Sequence, residues 1–264
     1  MLLKFHGLEL HSYGLLLAIA FLIGIQLLLK RGRKRGLAEE KLSTLSLLLL
    51  VFAIVGGRGL FVLTHWSDYA RDPAGVFRIW EGGLMLYGGY FLAIAGGIWY
   101  ARRAELPVWR VADAAAPSMA LGIAIGRLGC FMNGCCFGMP TNLPWGIRFP
   151  AGSYSNFVFP GEPLHPAQIY LAISGGALFL LLMAWDRKPR FDGWLFWTYV
   201  GLDAVLRFLI DFTRYYDATS NLGRFGGLSF NVNQILSGVL MLSAVFMLGR
   251  LAKAPTAPTA PTAT

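Results

Sequence analysis

Charge is scarce in this chain. Only 14% of its 264 residues are Asp, Glu, Lys or Arg. Soluble domains carry about 25%, so a water-soluble enzyme is excluded as a class. Acids are the rarer sign, 14 against 23 Lys and Arg, which leaves a formal net charge of +9. Three cysteines, two of them adjacent, cannot build a disulfide framework. Alternating apolar–polar segments of about ten residues are missing, which excludes a membrane β-barrel. There is no phosphate-binding loop, no dinucleotide fingerprint and no Gly-x-Ser-x-Gly elbow. A nucleotide-driven pump and an ordinary serine hydrolase therefore lack their signatures. No internal repeat appears either, which counts against a small transporter. What the chain does have is apolar mass: 56% of its residues are hydrophobic, and 14% are aromatic, too many for disorder.

The long apolar runs predict an all-α integral membrane protein with seven transmembrane helices. The expected spans are residues 13–29, 43–63, 84–100, 111–132, 166–185, 194–212 and 232–248. Lys30, Arg31, Arg33, Lys34, Arg35 and Lys41 follow the first span. Basic clusters also follow the third, fifth and seventh, whereas the opposite loops are sparse in Lys and Arg. By the positive-inside rule the N-terminus lies outside and the C-terminus in the cytoplasm. The net charge is thus read as orientation, and no nucleic acid partner is expected. The first span is not a cleaved signal peptide, because its basic cluster comes after the apolar stretch. Residues 1–253 form one expected membrane domain, and 254–264 an Ala-Pro-Thr tail without order. The Pro-rich loop 133–165 falls on the extracytoplasmic face, where the active site is expected.

Arginines inside apolar segments are the sharpest chemical signal. Arg58, Arg127 and Arg207 each cost a few kcal/mol at membrane depth unless a partner or a water-filled cavity receives them. Arg207 has Asp203 and Asp211 four residues away on either side; Arg58 and Arg127 have no local acid but are flanked by glycine. A set of planar guanidiniums suits a phosphate. Four glycines within residues 126–138 predict a broken or re-entrant segment lining a cavity. Cys130, Cys135 and Cys136 lie in it without a Cys-x-x-Cys pair or a nearby histidine, so neither a metal nor another cofactor is expected. His165 precedes Pro166 and Gln168 at the start of the fifth span. Tyr87 stands between paired glycines, and Tyr13 precedes Gly14 at the outer end of the first span.

Gly126-Arg127-Leu128-Gly129-Cys130-Phe131-Met132-Asn133-Gly134-Cys135-Cys136-Phe137-Gly138 resembles the signature of the bacterial prolipoprotein diacylglyceryl transferase family, Gly-Arg-x-Gly-Asn-Phe-x-Asn-Gly-Glu-x-x-Gly. The resemblance extends to Leu10-His11-Ser12-Tyr13-Gly14, Gly56-Gly57-Arg58, Trp80-Glu81-Gly82-Gly83 with Tyr87-Gly88-Gly89, His165-Pro166-Ala167-Gln168-Ile169-Tyr170, Arg207 with Asp211, and Asn233 to Ser237. These segments follow one another in family order over nearly the whole chain.

The resemblance implies a plasma-membrane enzyme that moves the diacylglyceryl group of phosphatidylglycerol onto the lipobox cysteine of a lipoprotein precursor and releases glycerol phosphate. Arg127 and Arg207 would hold the phosphate. Arg58, Asn133, Gly138, Gln168, Cys130 and Cys135 would line the substrate site. The nucleophile is the precursor's thiol; His165, Asp211, Tyr13 and Tyr87 are alternative bases. The chain departs from the signature twice: Cys130 replaces an Asn and Cys135 a Glu. Another lipid-headgroup transfer, or lipid binding without turnover, is the alternative those departures leave open.

Overall fold

The computed structural model describes residues 3–5, 8–10, 12–70, 72–188, 190–216, 221–225 and 228–253. His6, His11 and the Ala-Pro-Thr tail lie outside them. Helix dominates. A short antiparallel hairpin, β1 (Leu3–Phe5) with β2 (Leu8–Leu10), precedes α1 (Ser12–Lys34) and α2 (Glu39–Thr64). A four-residue helix, α3 (Trp66–Tyr69), and two 3-10 turns lead to α4 (Leu86–Arg103) and α5 (Val108–Asn133). The loop after α5 carries the short α6 (Tyr154–Val158), and then come α7 (Ala167–Trp185) and α8 (Trp194–Ile210). A second hairpin, β3 (Asn221–Phe225) with β4 (Leu228–Asn231), leads into α9 (Val232–Ala252).

Each expected span thus meets one long helix. Five of the seven are long and apolar enough to cross a membrane: Tyr13–Lys34, Glu39–Thr64, Val108–Asn133, Ala167–Trp185 and Val232–Ala252. Helix α8 has only 17 residues, and α4 ends in Arg102 and Arg103. The broad apolar exposure of α1, α2 and α9, with Leu22, Leu47, Leu242 and Val245 uncovered, fits surfaces that face lipid.

The chain forms two compact units, one of Met1–Leu27 with Ala112–Thr264 and the other of Leu28–Val111. In the second unit α2 and α4 cross at small residues. A methyl group on Gly56 would collide with the Gly88 carbonyl, and one on Gly88 with that of Gly56. A Cβ at Gly89 would stand 2.8 Å from the Ala53 carbonyl oxygen. Backbones this close gain dispersion contacts that membrane helices cannot gain by excluding water.

The first unit is held at its helix ends. Asp113 of α5, fully buried, accepts 2.8 Å hydrogen bonds from the Gly193 and Phe196 backbone N–H groups and so caps α8. Asn231 and Gln234 cap α9 reciprocally. Between these ends, Ala116 and Ala120 of α5, Leu178 and Leu182 of α7, and Leu195 and Tyr199 of α8 share one buried cluster. Helix α5 runs unbroken through Gly126 and Gly129, which corrects the expectation of a re-entrant break. It stops at Gly134, whose φ of 66° carries a Schellman cap: Gly134 N–H bonds the Phe131 carbonyl and Cys135 N–H that of Cys130.

Gly88→Val tests the helix crossing. Overpacking of this kind costs about 1–3 kcal/mol and should lower the thermal midpoint of the detergent-purified protein by several degrees. Gly59→Ala, in open space on the partner helix α2, should stay within about 0.5 kcal/mol of the parent.

Candidate functional site

The two units treat their intramembrane arginines in opposite ways. In the second unit, Arg58 of α2 is buried and all five of its N–H donors are used. Nε bonds the Val76 carbonyl at 2.9 Å; one terminal nitrogen bonds Gly82 and Gly83 at 2.6 and 3.1 Å; the other bonds Gly75 and Arg78 at 2.6 and 3.3 Å. The Tyr69 ring lies 5.2 Å from the guanidinium carbon. Gly82 and Gly83 have φ of 91° and 76°, and a Cβ at Gly83 would stand 2.6 Å from the guanidinium. The Trp80-Glu81-Gly82-Gly83 motif is therefore a cradle for Arg58, and Arg58 an organiser of its own loop. No donor is left on it for a phosphate. Tyr87, also in this unit, is largely exposed, and the glycines after it serve the α2–α4 crossing.

In the first unit, Arg127 of α5 is half-buried and makes no hydrogen bond or ion pair with any described residue. Electrostatically it reaches Tyr13, Cys136, Asp203 and Tyr216. Arg207 of α8 donates from Nε to Asp203 at 3.0 Å. Asp211, the other flanking carboxylate, turns elsewhere: it accepts from the Tyr216 hydroxyl at 2.8 Å and faces Arg214 at 3.7 Å. Arg214 in turn donates to the Tyr216 oxygen, and its Nε is buried with no hydrogen-bond partner among the described residues. Three guanidiniums, those of Arg127, Arg207 and Arg214, thus act on the groups around Asp203 and Asp211. Burial pushes the Tyr216 phenol well above its ordinary range, so it stays protonated and can donate. Arg214 and Tyr216 escaped the sequence reading; the three-residue step from Asp211 to Arg214 was their only local sign.

Tyr13 lies against α5 at Gly129, where a Cβ would approach its ring to 3.0 Å. Asn133, at the exposed end of α5, contacts the Cys135 thiol. Gln168 is fully buried, and its Nε2 donates to the Cys135 carbonyl at 2.8 Å. That bond fixes the turn leaving α5. Gly138 is wedged between His165 and Thr213: a Cβ there would stand 2.5 Å from both the His165 Cβ and the Thr213 carbonyl oxygen. Its N–H bonds the His165 carbonyl, and Met139 N–H bonds that of Thr213. Phe137 stacks on Tyr215 at 5.6 Å beside Phe149 and Leu164. The Pro-rich loop is therefore pinned over the end of α5. His165 meets the Tyr170 hydroxyl at 3.2 Å, and Trp145 donates to that same oxygen. Burial lowers the His165 pKa from 6.5, so the ring is neutral at pH 7.

Cys130, Cys135 and Cys136 form no disulfide, yet their sulfurs all lie within 4.8 Å of one another. Sequence spacing alone favoured no ligand set here; the reversal at Gly134, followed by a φ of 59° at Cys136, brings the thiols together. Hydrogen bonds from Cys130 and Cys135 hold the Cys136 thiol below its usual range, and the Arg214 and Arg127 charges act in the same direction.

Comparison with known proteins places these residues in company. The family model for prolipoprotein diacylglyceryl transferase matches residues 1–250. The phosphatidylglycerol–prolipoprotein diacylglyceryl transferase of Geobacter sulfurreducens is 36% identical over 244 residues, covering 91% of this chain and 90% of the relative. One of Clostridium perfringens, numbered 2, is 31% identical over 92% of this chain and 94% of the relative. One of Vibrio vulnificus is 34% identical over 89% and 85%.

Arg58→Lys provides at most three donors where five carbonyls wait. Limited proteolysis within residues 72–83 should accelerate roughly tenfold. Arg127→Gln, which breaks no bond to a described residue, should leave the cleavage rate unchanged.

Proposed function

The chain belongs to the prolipoprotein diacylglyceryl transferase family, and from that premise we propose that it transfers the diacylglyceryl group of phosphatidylglycerol to the lipobox cysteine of lipoprotein precursors. The observation that carries the reading is the guanidinium of Arg127. It stands on an apolar helix, acts electrostatically on Asp203 as Arg207 does and on Tyr216 as Arg214 does, and makes no hydrogen bond or ion pair with a described residue. A phosphodiester lipid, with its single negative charge, supplies the anion that the guanidinium's donors lack.

In the reaction, the precursor's thiolate attacks the glycerol carbon bonded to the phosphate oxygen. A C–S bond forms as the C–O bond breaks, and glycerol phosphate leaves with the electron pair. Negative charge grows on the departing oxygen. Arg127, with Arg207 beside it, stabilises that charge in a low-dielectric site, where such donors act most strongly. Asp203 orients Arg207, and Asp211 with Tyr216 holds Arg214. The thiol's proton needs an acceptor. His165 is neutral at pH 7, and its ring can take one. Asp211, already engaged by Tyr216 and Arg214, serves better as a positioning residue. Asn133, Gln168, Gly138, Cys130 and Cys135 shape the floor and the overlying loop, and Tyr13 closes one side. Arg58 and Tyr87 belong to the scaffold of the other unit.

The topology belongs to the same proposal. Seven spans, N-terminus out and C-terminus in, put the pinned Pro-rich loop on the extracytoplasmic face of the plasma membrane, with residues 1–253 as one membrane domain. Basic last turns on α1, α4 and α9 support this orientation.

The direct test incubates the purified protein with phosphatidylglycerol and a lipobox peptide bearing one cysteine, and reads the peptide by mass spectrometry. A diacylglyceryl adduct on that cysteine is expected. Failure to form it beside an active reference enzyme would overturn the assignment. Arg127→Gln should lower the rate roughly 100- to 1,000-fold without moving the thermal midpoint. The pH dependence has a definite sign. Because the His165 pKa lies below 6.5, transfer should hold through neutral pH and decline only at more acidic values. His165→Gln should remove that acidic limb.

A further inference from the structure

Cys130, Cys135 and Cys136 are not absorbed by the transfer chemistry, whose nucleophile is the precursor's thiol. Their sulfurs gather within 4.8 Å of one another, with no carboxylate or imidazole in the group among the described residues. Both departures from the family signature, at positions 130 and 135, are to cysteine, and both complete this cluster with Cys136. The backbone is shaped for it as well. Cys136 holds a φ of 59°, a left-handed conformation that a side-chain-bearing residue adopts only at a cost. The fully buried Gln168 clamps the Cys135 carbonyl.

We propose that the three thiols form a binding site for a single soft monovalent cation, copper(I), in three-coordinate sulfur geometry. Metal–thiolate bonds are about 2.3 Å long, which sets the sulfurs of a trigonal site about 4 Å apart. The cluster reaches that spacing by small rotations of side chains. An all-sulfur set without oxygen or nitrogen ligands selects a soft ion. Binding replaces up to three S–H protons and leaves a negatively charged metal–thiolate group. Arg127 and Arg214, both within electrostatic reach of Cys136, offset that charge. This inference stands whether or not the transfer assignment does, because its readout is metal binding.

The test uses the full-length, reduced protein in detergent without oxygen, titrated with copper(I) against a chromogenic copper(I) chelator. One ion retained per chain is expected, with Cys130→Ser, Cys135→Ser and Cys136→Ser each weakening retention roughly 100-fold. X-ray absorption at the copper edge should show three sulfur neighbours at about 2.3 Å. Loss of all the copper to the chelator overturns the proposal, as does undiminished retention when all three cysteines are serine. A disulfide in the protein as isolated, leaving one titratable thiol instead of three, overturns it too. If the serine variants do not fold, the parent's absorption spectrum decides, and fewer than three sulfur neighbours refutes the site.

Discussion

A guanidinium within an apolar helix must place five N–H donors somewhere, because lipid offers them nothing. Much of this molecule follows from how that demand is met. Arg58 meets it with five backbone carbonyls, and in doing so folds the segment from Gly75 to Gly83 into a closed loop. Arg207 meets part of it with Asp203, four residues back on its own helix. Arg127 finds no partner among the described residues. The difference between a filled and an open donor set is what singles out Arg127 as the proposed anion site. A donor set left open in a low-dielectric site is held ready for an anion, and no local reorganisation is needed when the anion arrives.

The same economy of small residues recurs around the site. Gly129 admits the Tyr13 ring against α5. Gly134 ends α5 in a Schellman cap and reverses the chain. Gly138 lets His165 and the Thr213 carbonyl close on the loop. The glycines that weaken the helical pattern in the sequence are thus spread over three tasks: packing, termination and docking. A pinned loop keeps the end of α5, and with it the face carrying Arg127, in one arrangement. Such rigidity suits a reaction that relies on positioned charge.

The helices were legible because hydrophobic runs are a local property: each expected span falls on one helix, and five of these helices are long and apolar enough to cross a membrane. The family was legible through the signature around Arg127. Partner choice was not, since it depends on where a helix stops. Asp211 lies one residue past the α-helical end of α8, its N–H still bonded to the Arg207 carbonyl, and its carboxylate is taken by side chains of the segment that follows. It turns to Arg214 and Tyr216 instead. Arg58 looked like a phosphate ligand for a similar reason: its partners are carbonyls some 17 to 25 residues away, and carbonyls carry no sequence identity. The thiol cluster was hidden by the reversal at Gly134, which turns a five-residue separation into contact. Gly126 and Gly129 suggested a broken helix because propensity counts glycines without knowing that Gly129 is packed against Tyr13 inside an uninterrupted helix.

The central claim is that Arg127's unused donors are the anion site. Native mass spectrometry of the purified protein can weigh retained phosphatidylglycerol against phosphatidylethanolamine, in the parent and in Arg127→Gln, under identical detergent conditions. The account requires the parent to retain the anionic lipid in preference, and Arg127→Gln to lose that preference while remaining folded. Equal retention of phosphatidylglycerol by both proteins would contradict it.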